Sequence, residues 1–89
     1  SFLRVISQNQ KYDVPYEQTA FISEGIMIYG LWNGEQWLFA EYSTPDRVLK
    51  AVEMIRRFGA LGNVAGFVLP DDESIEGAYD EAKSHWEFK

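Results

Sequence analysis

An 89-residue chain with no cysteine has room for one domain and neither a disulfide nor a thiolate-held metal to staple it, so stability must come from the 46% hydrophobic and 16% aromatic content. No run approaches the roughly 18 apolar residues of a membrane span and no basic, apolar leader opens the chain, which sets the expectation of a soluble cytoplasmic protein without a membrane partner. The net charge of -6 argues against general binding to a phosphate backbone, and it is concentrated late: seven acids (Asp71, Asp72, Glu73, Glu76, Asp80, Glu81, Glu87) face only Lys83 and Lys89 after Leu69.

In chain order, Phe2 to Ser7 is short and β-branched and reads as a strand, followed by a polar turn at Gln8 to Lys11. Extended structure resumes around Asp13. Pro15 has no N–H to give a ladder, so its surroundings form an edge, a bulge or a bend, while Gln18 to Ser23 can pair and Glu24-Gly25 turns the chain.

Asn33-Gly34 between alternating apolar runs is a strong hairpin signal, because both residues tolerate the positive φ of a primed turn. A two-residue loop sets Trp32 opposite Glu35, Gly30 opposite Trp37 and Ile28 opposite Phe39. One face then carries Ile26, Ile28, Gly30, Trp32, Glu35, Trp37, Phe39 and Glu41; the other carries Met27, Tyr29, Leu31, Gln36, Leu38, Ala40 and Tyr42. Both faces are largely apolar. Trp37 is expected to lie over Gly30 and shield bare backbone.

A helix is predicted from about Pro45 to Phe58. Thr44 caps it, Pro45 takes the first position, and Val48, Ala51, Val52, Ile55 and Phe58 form the buried stripe. Arg47, Lys50, Glu53 and Arg57 lie outside, and Gly59 is expected to stop it. Gly62, Asn63 and Gly66 are turn candidates before a short strand or tether from Phe67 to Leu69. From Asp71 to Phe88 a second, acidic helix is predicted, capped by Asp71 or Asp72, with a narrow stripe of Ile75, Ala78, Tyr79, Ala82 and Trp86. Gly77 costs it about 1 kcal/mol relative to alanine, so it needs a docking site to hold its shape.

Catalytic, cofactor and metal motifs are not found. His85 is the sole histidine, the serines carry no nucleophile-elbow motif, and Gly59, Gly62 and Gly66 match no phosphate-cradling spacing. The acids from Asp71 fail calcium-loop spacing, because Ile75 and Ala82 fall where ligands are required. A non-enzyme without cofactor or metal is the expectation.

The segments Arg4 to Gln18, Ile28 to Trp32, Ala40 to Arg56 and Phe67 to Asp72 resemble small proteins of Gram-positive bacteria and their phages. Ile6, Ser7, Gln8, Asp13, Val14, Pro15, Tyr16, Glu17, Glu41, Tyr42, Ser43 and Thr44 carry the likeness, across roughly the first 70 residues; the acidic extension is outside it. The resemblance implies a mobile-element or host accessory protein, and it brings no activity with it.

The resulting expectation is a single α+β domain over residues 1–89. It has an antiparallel sheet of about four or five strands between Phe2 and Tyr42, one main helix across one face, and the acidic helix at the sheet edge or on its other face. One helix covers one face, so the bare face is expected to bind a protein partner or a second copy. The candidates are Trp32, Trp37 and Phe39 on one side and Met27, Tyr29, Leu31 and Leu38 on the other. The alternative is a nucleic-acid-directed role, either weak single-strand binding through aromatics and the face from Arg47 to Arg57, or acidic DNA mimicry by Asp71 to Glu87.

Overall fold

The computed structural model describes residues 3–61 and 66–87; Phe2, Gly62, Asn63 and Phe88, to which sequence expectations were attached, lie outside the described residues. The described chain is α+β, and its strands form two three-stranded sheets rather than one larger sheet. Pro15 accounts for the division. β1 (Arg4–Ile6) pairs antiparallel with β2 (Asp13–Pro15), with Val5 opposite Val14. The chain then bends through a 3-10 turn at Tyr16–Gln18 before β3 (Ala20–Glu24) starts a separate ladder.

The turn between β1 and β2 is built around Ser7, whose side chain is fully buried. Its hydroxyl accepts the N–H groups of Lys11 (3.1 Å) and Tyr12 (3.0 Å) and donates to Asn9 Oδ1 (2.6 Å). These bonds satisfy backbone donors that the reversal would otherwise strand. β6 (Gly66–Val68) lies on the other side of β1 and runs parallel to it, so this sheet is mixed and not the antiparallel one expected. The helix between β5 and β6 returns the chain in the parallel sense.

β3, β4 (Met27–Trp32) and β5 (Glu35–Glu41) form an antiparallel meander. Its turns use Gly25 (φ 63°) and then Asn33 and Gly34 (φ 55° and 82°), the primed geometry the sequence implied. The register follows expectation from Trp32–Glu35 through Gly30–Trp37 to Tyr29–Leu38 and then departs from it. Ile28 pairs with Ala40, not Phe39, across a bulge. Phe39, Ala40 and Tyr42 are consequently buried while Glu41 is exposed, so the predicted faces reverse on β5 after Phe39.

Packing explains the bulge. A Cβ on Gly30 would lie 2.9 Å from the Phe39 ring and 3.4 Å from that of Phe21, so these rings, not the Trp37 indole, cover the glycine. Phe21 and Phe39 meet edge to face at 5.6 Å. Holding Phe39 over Gly30 while turning Ala40 and Tyr42 inward requires one extra residue on β5.

α1 (Pro45–Leu61) begins as predicted, with the Arg47 N–H donating to Thr44 Oγ1 at 3.2 Å. It runs through Gly59 instead of stopping there. Met54 joins Val48, Ala51, Ile55 and Phe58 in the core, and Val52 is only half-buried. α2 (Ile75–Glu87) is preceded by an Asp71 carboxylate that accepts the N–H (2.9 Å) and hydroxyl (2.8 Å) of Ser74. It docks on α1, neither at a sheet edge nor across the free sheet face.

Gln8 ties the sheets together. Its N–H donates to Phe39 O (2.8 Å), its side-chain amide donates to Glu41 O (3.3 Å) and Pro70 O (3.1 Å), and its side-chain oxygen accepts the Glu41 N–H (3.1 Å). The Tyr42 hydroxyl donates to the same Pro70 carbonyl at 2.6 Å. One continuous core, including Val5, Ile28, Phe39, Tyr42, Ile55, Leu69 and Ile75, runs beneath this joint.

Candidate functional site

The two faces of the meander differ in cover. On the inner side Phe39 is 1% exposed and belongs to the core. Trp37 is half-buried and stacks on Tyr12 at 5.7 Å; Trp32 tilts against Trp37 at 6.3 Å, its indole N–H donating to Gln18 Oε1 at 3.3 Å. Both indoles pack against the core. The first candidate group, Trp32, Trp37 and Phe39, is therefore engaged within the chain.

The second group lies on the outer side. Ile22 of β3, Tyr29 of β4 and Leu38 of β5 are register partners and make one apolar row across all three strands. Ala20, Leu31 and Gln36 form the next row; Glu24, Met27 and Glu41 form the row at the opposite end. Ile22 and Leu38 are each 42% exposed, and none of Ile22, Met27, Tyr29, Leu31 and Leu38 belongs to the core or packs against it among the described residues. The Tyr29 hydroxyl approaches Met27 Sδ at 3.1 Å. Sequence reasoning placed Met27, Tyr29, Leu31 and Leu38 on this side and missed Ala20 and Ile22. Alternation around the inward Phe21 was the signal that could have found them.

The charged residues of α1 have a different employment. Arg47 pairs with Asp72 (3.0 Å) and Glu76 (3.2 Å), and its guanidinium donates to the Asp72 carbonyl at 2.9 Å. Lys50 pairs with Glu76 and, at 3.3 Å, with Asp46. Glu53 accepts the Tyr79 hydroxyl at 2.7 Å and sits 3.5 Å from Arg57, whose guanidinium lies 5.1 Å from the Trp86 ring centroid. The acidic helix is thus matched to the basic face of α1.

Ionisation follows these contacts. The Ser43 N–H, with Arg47, holds the Asp72 carboxyl below its ordinary range; Lys50, with Arg47, does the same for Glu76, and the Ser74 hydroxyl and N–H for Asp71. Burial pushes the Tyr42 phenol upward, assisted by the charges of Asp71 and Asp72, so it stays a neutral donor to Pro70. No group of three or more potential metal ligands comes together among the described residues, and no described helix is long and apolar enough to cross a membrane.

A cleft of about 350 Å³ opens between β3 and α1, with Tyr16, Phe21, Val52 and Ile55 in its walls and Glu17 and Arg56 beside them. Another, of about 400 Å³, lies at the β4–β5 turn near Leu31 and Trp32.

Several polar residues of the first half of the chain act as joints. Ser7 closes a turn, Asp13 pairs with Arg4 (2.8 Å), Tyr42 reaches Pro70, the Ser43 N–H donates to Asp72 (2.7 Å), and Thr44 caps α1. Compared with protein-family models, curated proteins and solved structures, the chain matches none.

Proposed function

We propose that this protein is a small non-enzymatic protein-interaction module of the mobile-element or accessory type, working in the cytoplasm, whose contact surface is the outer face of the β3–β4–β5 meander. The observation that carries the reading is the Ile22–Tyr29–Leu38 row, apolar across every strand of the sheet and outside the core. Monomers seldom leave a contiguous apolar patch on a sheet without a use for it.

The occupant that fits is an amphipathic helix of another protein. Three strands about 4.8 Å apart present a surface close to the 10–12 Å width of a helix with its side chains. The only charges in the three rows are the carboxylates of Glu24 and Glu41, at one end, so a partner helix with Lys or Arg near one terminus complements the face. A second copy would bring another net charge of -6 and the same uncompensated carboxylates. The pairs that Arg47, Lys50 and Arg57 make weigh against the nucleic-acid alternative, because a phosphate backbone would have to compete with Asp72, Glu76 and Glu53.

A photo-crosslinking side chain at Leu38 in the full chain, used in cells and mapped by mass spectrometry, tests this. The expected product joins position 38 to a helical segment of another protein and is lost when the same crosslinking chain also carries Ile22→Ser. Crosslinks only between copies of this chain, or none, would overturn the reading.

A further inference from the structure

We infer that the groove between β3 and α1 is a second binding site, for an extended peptide segment of a partner protein that adds to the sheet as a fourth strand beside β3. This site is separate from the outer sheet face and stands or falls independently of it.

The main chain of β3 is one half of the argument. The turn at Gly25 has two residues, so Glu24 and Met27 form its hydrogen-bonded closing pair. Alternation then directs the main chains of Ala20 and Ile22 toward β4 and leaves Phe21 and Ser23 with N–H and C=O turned away from the sheet. Neither has another main-chain partner among the described residues. Edge strands are ordinarily blunted. β5 carries a bulge, and Gln8 occupies the main chain of Phe39 and Glu41; β2 is three residues long and ends in Pro15. β3 is longer than β2, at five residues, and contains no proline, lysine or bulge.

The cleft is the other half. Its volume of about 350 Å³ lies on the inner side of this same edge, with Phe21 on the strand, Tyr16 on the 3-10 turn, and Val52 and Ile55 on α1. Tyr16 is held there by its edge-to-face contact with Phe58 at 5.8 Å. Side chains of an added strand alternate between the two sides of the sheet, so every second one enters the cleft. The main-chain ladder supplies general affinity and the apolar walls select the entering side chain. Glu17 and Arg56 add one charge of each sign to the lining of the cleft, so net charge of the peptide contributes little to recognition.

A helix or a small molecule cannot satisfy a row of strand donors and acceptors. A second copy pairing β3 with β3 would offer Phe21 as the inward residue, and that ring is already committed to Phe39 and Gly30 of its own chain. The cleft would stay empty. A foreign segment with an aliphatic or aromatic side chain at the inward position fills both requirements.

The test begins with the full chain and a displayed library of random twelve-residue peptides. Enriched sequences should carry alternating apolar residues, and a synthetic peptide made from them should slow amide exchange at Phe21 and Ser23 and shift the Val52 and Ile55 methyl signals. Ser23→Pro removes an outward N–H without touching the β4 ladder and should weaken binding at least tenfold. N-methylation of the peptide amide facing β3 should cause the same loss, and this arm needs no altered protein. No enrichment, binding indifferent to both changes, signal shifts confined to the outer face, or a dilution-sensitive β3–β3 dimer would overturn the inference.

Discussion

The inner and outer faces of the meander begin from the same alternation of apolar residues and end in opposite states. Inside, Phe21 and Phe39 close over Gly30 and the bulge turns Ala40 and Tyr42 into the core; outside, Ile22, Tyr29 and Leu38 line up in register and remain partly open. Apolar content alone therefore does not say which face is core. What decides is where a ring must approach bare backbone and where a helix can follow.

The largest expected effect lies inside. Phe39→Ala empties the space above Gly30 and should cost about 3–5 kcal/mol in urea or thermal unfolding. Gln8→Ala comes next, because it removes three side-chain hydrogen bonds spanning both sheets and leaves the Glu41 N–H without its acceptor; about 1–3 kcal/mol is expected from the same unfolding curves.

The helix pair responds to pH in a sense fixed by its carboxylates. Asp71, Asp72 and Glu76 have folded-state pKa values below their ordinary 3.8, 3.8 and 4.5, so their contribution is complete above that range and is lost as pH falls through the lowered values. Trp86 fluorescence and helical circular dichroism should report α2 loosening in acid, with added salt moving the midpoint to higher pH. Tyr42 acts at the other extreme. Its folded pKa is raised, so its share of stability is present below the ordinary value of 10.0 and drains as alkali ionises the unfolded chain.

The smallest expected effect is outside. I22S/L38S should change stability by no more than about 0.5 kcal/mol. A cost approaching that of Phe39→Ala would erase the distinction between the two faces.

Local chemistry made much of this readable. Asn33-Gly34 announced its turn, Thr44-Pro45 announced the start of α1, and the register near the turn followed from loop length. The bulge was not readable, because it depends on two rings from different strands meeting at Gly30. Pro15 marked a disruption without saying that the sheet would divide there. Gly59 resembled a stop, yet propensity yields when neighbouring residues already hold the helix. On the candidate surface, β4 and β5 yielded Met27, Tyr29, Leu31 and Leu38, while Ile22 required knowing that β3 was their neighbour. Arg47 and Lys50 read as solvated because their partners lie in a later helix; the opposite charges of the two helices were the available clue.

The link from Gln8 to Pro70 spans 62 positions, whereas each turn of the meander joins immediate neighbours. Chain-closure entropy makes such a distant partnership a late folding event. The hairpins should accordingly assemble before β6 reaches β1, giving high φ-values around Asn33 and low ones at Phe67 and Leu69. A newly made chain would then display its meander before the mixed sheet is sewn shut.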